Sequence, residues 1–157
     1  MARTWLQIRV DLVGGGPVES RDPGRILLVG PGHTFQGFAA AINQAFARWD
    51  LSHLHEFELP DGRKIGYPDD EFAPEMVWED HAVVKVAEAV RPGDEFVFTY
   101  DFGDNWRHRC RVFPEKTDPR EELGGGPLPK QPVAIWGWGW IPDQYGRESA
   151  ADLDLDP

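Results

Sequence analysis

The sequence predicts an α+β fold: one sheet-dominated domain of β-hairpins packed on a single main amphipathic helix at about residues 35–49. Three observations predict it. Several short runs alternate apolar and polar residues, one stretch alone keeps a helical period, and 14 prolines with 17 glycines divide the chain into short elements. A length of 157 residues, 41% of them hydrophobic, suits one domain that buries about two-thirds of its unfolded surface. Seven Trp and nine Phe against two Met predict a core of rigid aromatic side chains. The domain is expected to span residues 1–147, followed by a disordered acidic tail at 148–157.

The opening strand covers residues 5–12, with Leu6, Ile8, Val10 and Leu12 on one face and Gln7, Arg9 and Asp11 on the other. The turn-rich "GGGPVESRDPGR" (14–25) leads into "ILLV" (26–29), a second strand that completes a hairpin with a long loop. Thr34 can cap a helix in which Phe35, Phe38, Ile42, Phe46 and Trp49 form one apolar stripe. His53 to Leu59 alternates again, "PDG" (60–62) makes a turn, and Arg63 to Tyr67 returns as a partner strand. Residues 68–80 are acidic, contain no base and predict an exposed loop. The run "AVVKVAEAV" (82–90) fits either a strand or a short helix. A third hairpin joins Glu95 to Asp101 with Trp106 to Phe113 through "FGDN" (102–105). Beyond it the chain is rich in Gly and Pro, interrupted by "IWGWGWIPDQYGR" (135–147).

The formal charge is −11, of which Glu148, Asp152, Asp154 and Asp156 contribute −4 and residues 1–147 the remaining −7. An acidic surface repels phosphates over roughly 10 Å, which disfavours bulk nucleic-acid binding. One cysteine, Cys110, rules out an intramolecular disulfide and a multi-cysteine zinc site, and suits a reducing compartment. The sequence carries neither an apolar run of about 18 residues nor a secretory signal pattern, so a cytoplasmic protein without a membrane partner is expected.

"YDFGDNWRHRC" (100–110) contains the DFG letters of a protein kinase, but the glycine loop, strand lysine and preceding catalytic loop are missing. Neither glycine triplet is followed by Lys-Ser/Thr, as a phosphate-binding loop requires. Trp136, Trp138 and Trp140 alternate as a base- or sugar-stacking platform would, although the acidic charge favours a role in covering one end of the sheet. His53 and His55 form an H-x-H pair whose rings a strand would point to one face. With Asp101, Asp104 and His108 they are the candidate metal ligands if the second and third hairpins adjoin, and with Trp106 they line a candidate binding cleft. Buried histidines holding structure through backbone hydrogen bonds are the alternative. Arg107, Arg109 and Arg111 share a strand face, either to pair with acids or to form a local basic patch. Cys110 shares the opposite face with His108 and apolar residues, which favours an inert buried thiol.

Taken together, "RWDLSHLHEFEL" (48–59) and "YDFGDNWRHRCRV" (100–112) resemble the two hallmark segments of the plasmid pRiA4b ORF-3-like family. Their order and spacing, the preceding amphipathic helix and the "PGDEF" lead-in extend the resemblance over roughly residues 3–113. The resemblance implies a compact α+β domain, found in bacterial chromosomes, plasmids and transposon passenger genes, with no established biochemical activity. Its characteristic positions fall on Trp49, Asp50, His53, Leu54, Phe57, Tyr100, Asp101, Phe102, Gly103, Asp104, Trp106 and His108. Two segments depart from it: "SRDPGRILLV" replaces a proline-tryptophan-arginine pattern before the helix, and "WGWGWIPDQYGR" replaces a C-terminal element rich in proline, acid and glycine.

These readings converge on a binding or interaction module for an unknown protein or small ligand, associated with mobile-element gene content and needing no cofactor. The rival is a metal-dependent hydrolase, nuclease-like in one form, in which the histidines and aspartates hold a divalent ion that activates water. A divalent metal is therefore the one cofactor to test.

Overall fold

The computed structural model describes residues 3–15, 23–68 and 78–145. Its frame is an eight-stranded sheet in the order β5-β4-β3-β6-β7-β1-β2-β8. The strands are β1 (Leu6–Gly14), β2 (Gly24–Val29), β3 (His55–Glu58), β4 (Lys64–Gly66), β5 (Glu79–Asp80), β6 (Glu95–Tyr100), β7 (Trp106–Val112) and β8 (Val133–Trp138). All neighbours pair antiparallel except β4 and β5. Three helices accompany them: α1 (Phe35–Ala45), α2 (Val86–Ala89) and α3 (Pro119–Leu123). This is the α+β architecture expected, with the three hairpins in place as β1/β2, β3/β4 and β6/β7.

Alternation along each strand puts one sheet face against α1. Leu6, Ile8, Val10 and Leu12 of β1 lie beside Trp106, His108, Cys110 and Val112 of β7, and next to these come Phe96, Phe98 and Tyr100 of β6. Phe35 and Phe38 of α1 meet Phe57 of β3 at ring distances of 4.9 and 5.7 Å. Burying each such ring contributes about 1.5–3 kcal/mol, so these aromatics dominate the core. The other sheet face is polar. There Asp11 accepts from both Arg9 and Arg111, and Arg109 bonds Glu95 at 2.7 Å. Two of the three arginines in the expected row thus pair with acids.

The helix starts as expected, with the Thr34 hydroxyl accepting from Gly37 N at 3.2 Å. It ends at Ala45, four residues before the predicted limit. Ala47 takes a left-handed conformation (φ 57°), its N–H bonds Gln44 O, and Arg48 N–H bonds Asn43 O. This pair of bonds is a Schellman termination, which usually advertises itself with glycine and here uses alanine. Trp49 consequently leaves the apolar stripe and is half exposed.

The ambiguous run 82–90 folds as a turn followed by the single-turn helix α2. The tryptophan segment forms the edge strand β8, where the Trp138 ring lies on Gly24 so closely that any β-carbon there would collide. The middle of the 14–25 loop, most of the acidic 68–80 loop and the 148–157 tail lie outside the described residues. Among the described residues no helix is long and apolar enough to cross a membrane.

Candidate functional site

The turn that ends α1 builds the site. It sends Arg48 inward and leads the chain through Asp50, whose Oδ1 accepts from Ser52 N (3.1 Å) and Ser52 Oγ (2.6 Å). That local closure brings His53 to the end of β6. The Tyr100 hydroxyl, inside the fold, donates to Asp50 O (2.9 Å) and accepts from His53 N (3.2 Å), which fastens the 50–53 loop to the sheet. Asp101 follows Tyr100 directly. Its N–H bonds Leu54 O, its backbone is left-handed at φ 63°, and its Oδ1 accepts from Gly103 N and Asp104 N. Positive φ at the hairpin tip falls on Asp101 and Asn105, residues whose short polar side chains tolerate it.

Two carboxylates thereby meet one imidazole. Oδ2 of Asp50 and Oδ2 of Asp101 each lie 3.5 Å from His53 Nε2, with His53 about one-third exposed. A third group comes from the C-terminal segment. The Tyr145 hydroxyl donates to Asp50 Oδ2 at 2.7 Å, so its oxygen accepts from His53 Nε2–H at 2.8 Å. Gln144 fixes this segment, its Oε1 accepting from Trp49 N and Asp50 N while its Nε2 donates to Asp50 O. The hydrogen bonds from Ser52 and then Tyr145 hold the Asp50 carboxyl down at about 2. Bonding to Asp50, followed by burial and the charges of Asp50, Asp101 and Asp104, pushes the Tyr145 phenol up to about 12. Around the cluster stand the exposed rings of Trp49, Phe102 and Tyr145, with Trp49 and Tyr145 edge to face at 5.2 Å and Phe102 stacked on Trp78.

The sequence candidates divide into three places. His53, one-third exposed, meets the buried carboxylate of Asp101, and Asp104 adds charge beside them. His55 begins β3 and turns inward, where its Nε2 lies 2.9 Å from His81 Nδ1 against Tyr67, so the H-x-H rings part. Burial, with the neighbouring His81 charge second, drops the His55 pKa to about 3. His108 lies wholly in the core, its Nδ1 on Phe98 O, and Trp106 is buried under the Arg48 guanidinium at 5.0 Å. Arg48, buried among Phe46, Tyr100 and Trp106, is lowered to about 9 by the loss of water. Burial pushes the Cys110 thiol up, in keeping with an inert residue. The five proposed metal ligands do not converge, and among the described residues no group of three or more His, Cys, Asp or Glu is placed to hold a metal ion. The DFG letters form the hairpin tip.

Asp50 and Tyr100 belong to the hallmark segments but were not among the cleft residues read from the sequence. Tyr145 and Gln144 carried no such signal.

The sequence signature of the plasmid pRiA4b ORF-3-like protein family matches residues 5–128. The chain belongs to this family. Its hallmark segments supply Asp50, His53 and Asp101, whereas Gln144 and Tyr145 lie beyond the matched residues. Among solved structures, a protein of unknown function from Methanosarcina mazei Go1 superposes with a TM-score of 0.61 at 24% identity, covering 85% of this chain and 68% of that one. That likeness establishes a shared fold. No curated protein matches the chain.

Proposed function

We propose that this pRiA4b ORF-3-like protein is a binding module that takes a cationic group, an ammonium or guanidinium, at the Asp50–His53–Asp101 cluster. The convergence of two carboxylates from distant elements on one imidazole carries the reading. A carboxylate pair accepts several charge-assisted hydrogen bonds from such a cation. The chain's net charge of −11 steers cations inward and anions away. The partner is a small basic ligand or a basic segment of another protein, met in a reducing cytoplasm and in the plasmid-associated setting that the family's name suggests.

A metal-dependent hydrolase would need one imidazole and two carboxylates as ligands of a divalent ion, residue types this cluster contains, but among the described residues no such group is placed to hold one. Against it, the Tyr145 hydroxyl already engages both His53 Nε2 and Asp50 Oδ2. A thermal-shift panel on EDTA-treated protein separates the two readings. Arginine amide and lysine amide are expected to raise Tm, and zinc, manganese, nickel and magnesium are not; stabilisation by a metal alone would hand the site to the hydrolase.

A further inference from the structure

The strand β8 forms one edge of the sheet, and no described residue pairs with its outer side. Free edges of this kind present a row of unmatched N–H and C=O groups that recruit another strand. Residues 131–142, "QPVAIWGWGWIP", contain no charged side chain, although 27% of the chain is charged. The opposite edge differs: β5 has two residues, Glu79 and Asp80, both acidic. We propose that β8 is a homodimerisation edge, two copies pairing β8 with β8 antiparallel about a two-fold axis to make one continuous sheet.

Three features select a second copy as the occupant. Antiparallel pairing of a strand with itself is isologous, so each group on the edge meets its own equivalent and the contact closes at two. An uncharged edge lets two chains of −11 approach without placing like charges in contact, whereas a basic partner would be drawn to acidic surfaces elsewhere. The short acidic β5 edge supplies no second docking strand, so the assembly does not extend into a filament.

The surfaces flanking the edge fit the same arrangement. Trp136 on the strand and Trp140 just past its end are 68% and 65% exposed, and interfaces are enriched in such rings. On the face that carries α1, a groove of about 400 Å³ runs between this helix and the lead into β8, lined by Gly37, Ala40, Ala41, Gln44 and Pro132. A two-fold axis perpendicular to the joined sheet keeps both α1 helices on the same side. Each then faces the other across this groove, where small side chains permit close approach.

Sedimentation of the full chain over a wide concentration range tests this. The expected mass is twice 17.8 kDa. The exposed-edge double variant Ala134→Lys/Trp136→Lys and the helix variant Ala40→Arg are each expected to sediment at 17.8 kDa with unchanged circular dichroism. If the edge variant fails to keep its dichroism, Ala40→Arg decides, because Ala40 is an exposed helix position outside the strand ladder. A wild type that is monomeric at every concentration, or a dimer that survives both substitutions, would overturn the proposal.

Discussion

Asp101 combines two duties that a pair of substitutions separates. Its left-handed backbone and its Oδ1 bonds to Gly103 and Asp104 shape the hairpin tip, while its Oδ2 faces His53. Asparagine tolerates the same φ and keeps an acceptor, so Asp101→Asn is expected to leave Tm nearly unchanged. Asp101→Ala removes the turn bonds and strains the backbone, a loss of roughly 2 kcal/mol in chemical denaturation. At Ala47 the direction reverses. Glycine adopts φ 57° without a β-carbon clash, and Ala47→Gly is expected to stabilise by about 1 kcal/mol, offset in part by unfolded-chain entropy. A destabilised Ala47→Gly protein would contradict the Schellman assignment.

At the scale of elements, the 141–145 segment is held on the site by one buried amide. Gln144→Ala leaves the part-buried N–H groups of Trp49 and Asp50 without their acceptor, and a loss of about 1 kcal/mol is expected in urea unfolding. Tyr145→Phe, at an exposed ring, should leave stability almost unchanged while freeing Asp50 Oδ2 and so strengthening binding of arginine amide. The hairpins were legible because a half-buried strand imposes a period of two, as in Leu6, Ile8, Val10 and Leu12. The end of α1 was not, since alanine replaces the glycine that marks a left-handed terminus and Trp49 extends the apolar period past it. The parting of His53 and His55 was hidden for a related reason: the pairing that fixes side-chain direction begins at His55, opposite Tyr100. Tyr145 lies 92 residues from His53, and its segment is joined by side-chain bonds to backbone, which leave no periodic trace.

For the whole molecule, histidine burial sets the response to acid. His33, His55, His81 and His108 all have folded pKa values lowered first by loss of water, that of His55 to about 3. In the unfolded chain each titrates near 6.5, so below that pH the unfolded state binds more protons. Their contribution is therefore intact above about pH 6.5 and is lost as the pH falls toward the folded values, with a limiting slope of about 1.4 kcal/mol per pH unit for each histidine. Asp50 adds nothing in that window, because its depressed value makes its own contribution disappear only below the carboxylate range. The urea midpoint should drop markedly between pH 7 and pH 5, and a flat profile would show that these histidines are solvated.

Binding of a cation at the paired carboxylates is tested most directly by a two-dimensional amide NMR titration with arginine amide, in roughly physiological salt, on wild type and on Asp50→Asn/Asp101→Asn. Shifts concentrated at residues 50–54 and 101–104, with affinity at least about tenfold weaker in a double variant that remains folded, are the expected result. Shifts spread over the acidic surface, or equal affinity in both proteins, would mean that the cluster is a structural lock and not a site.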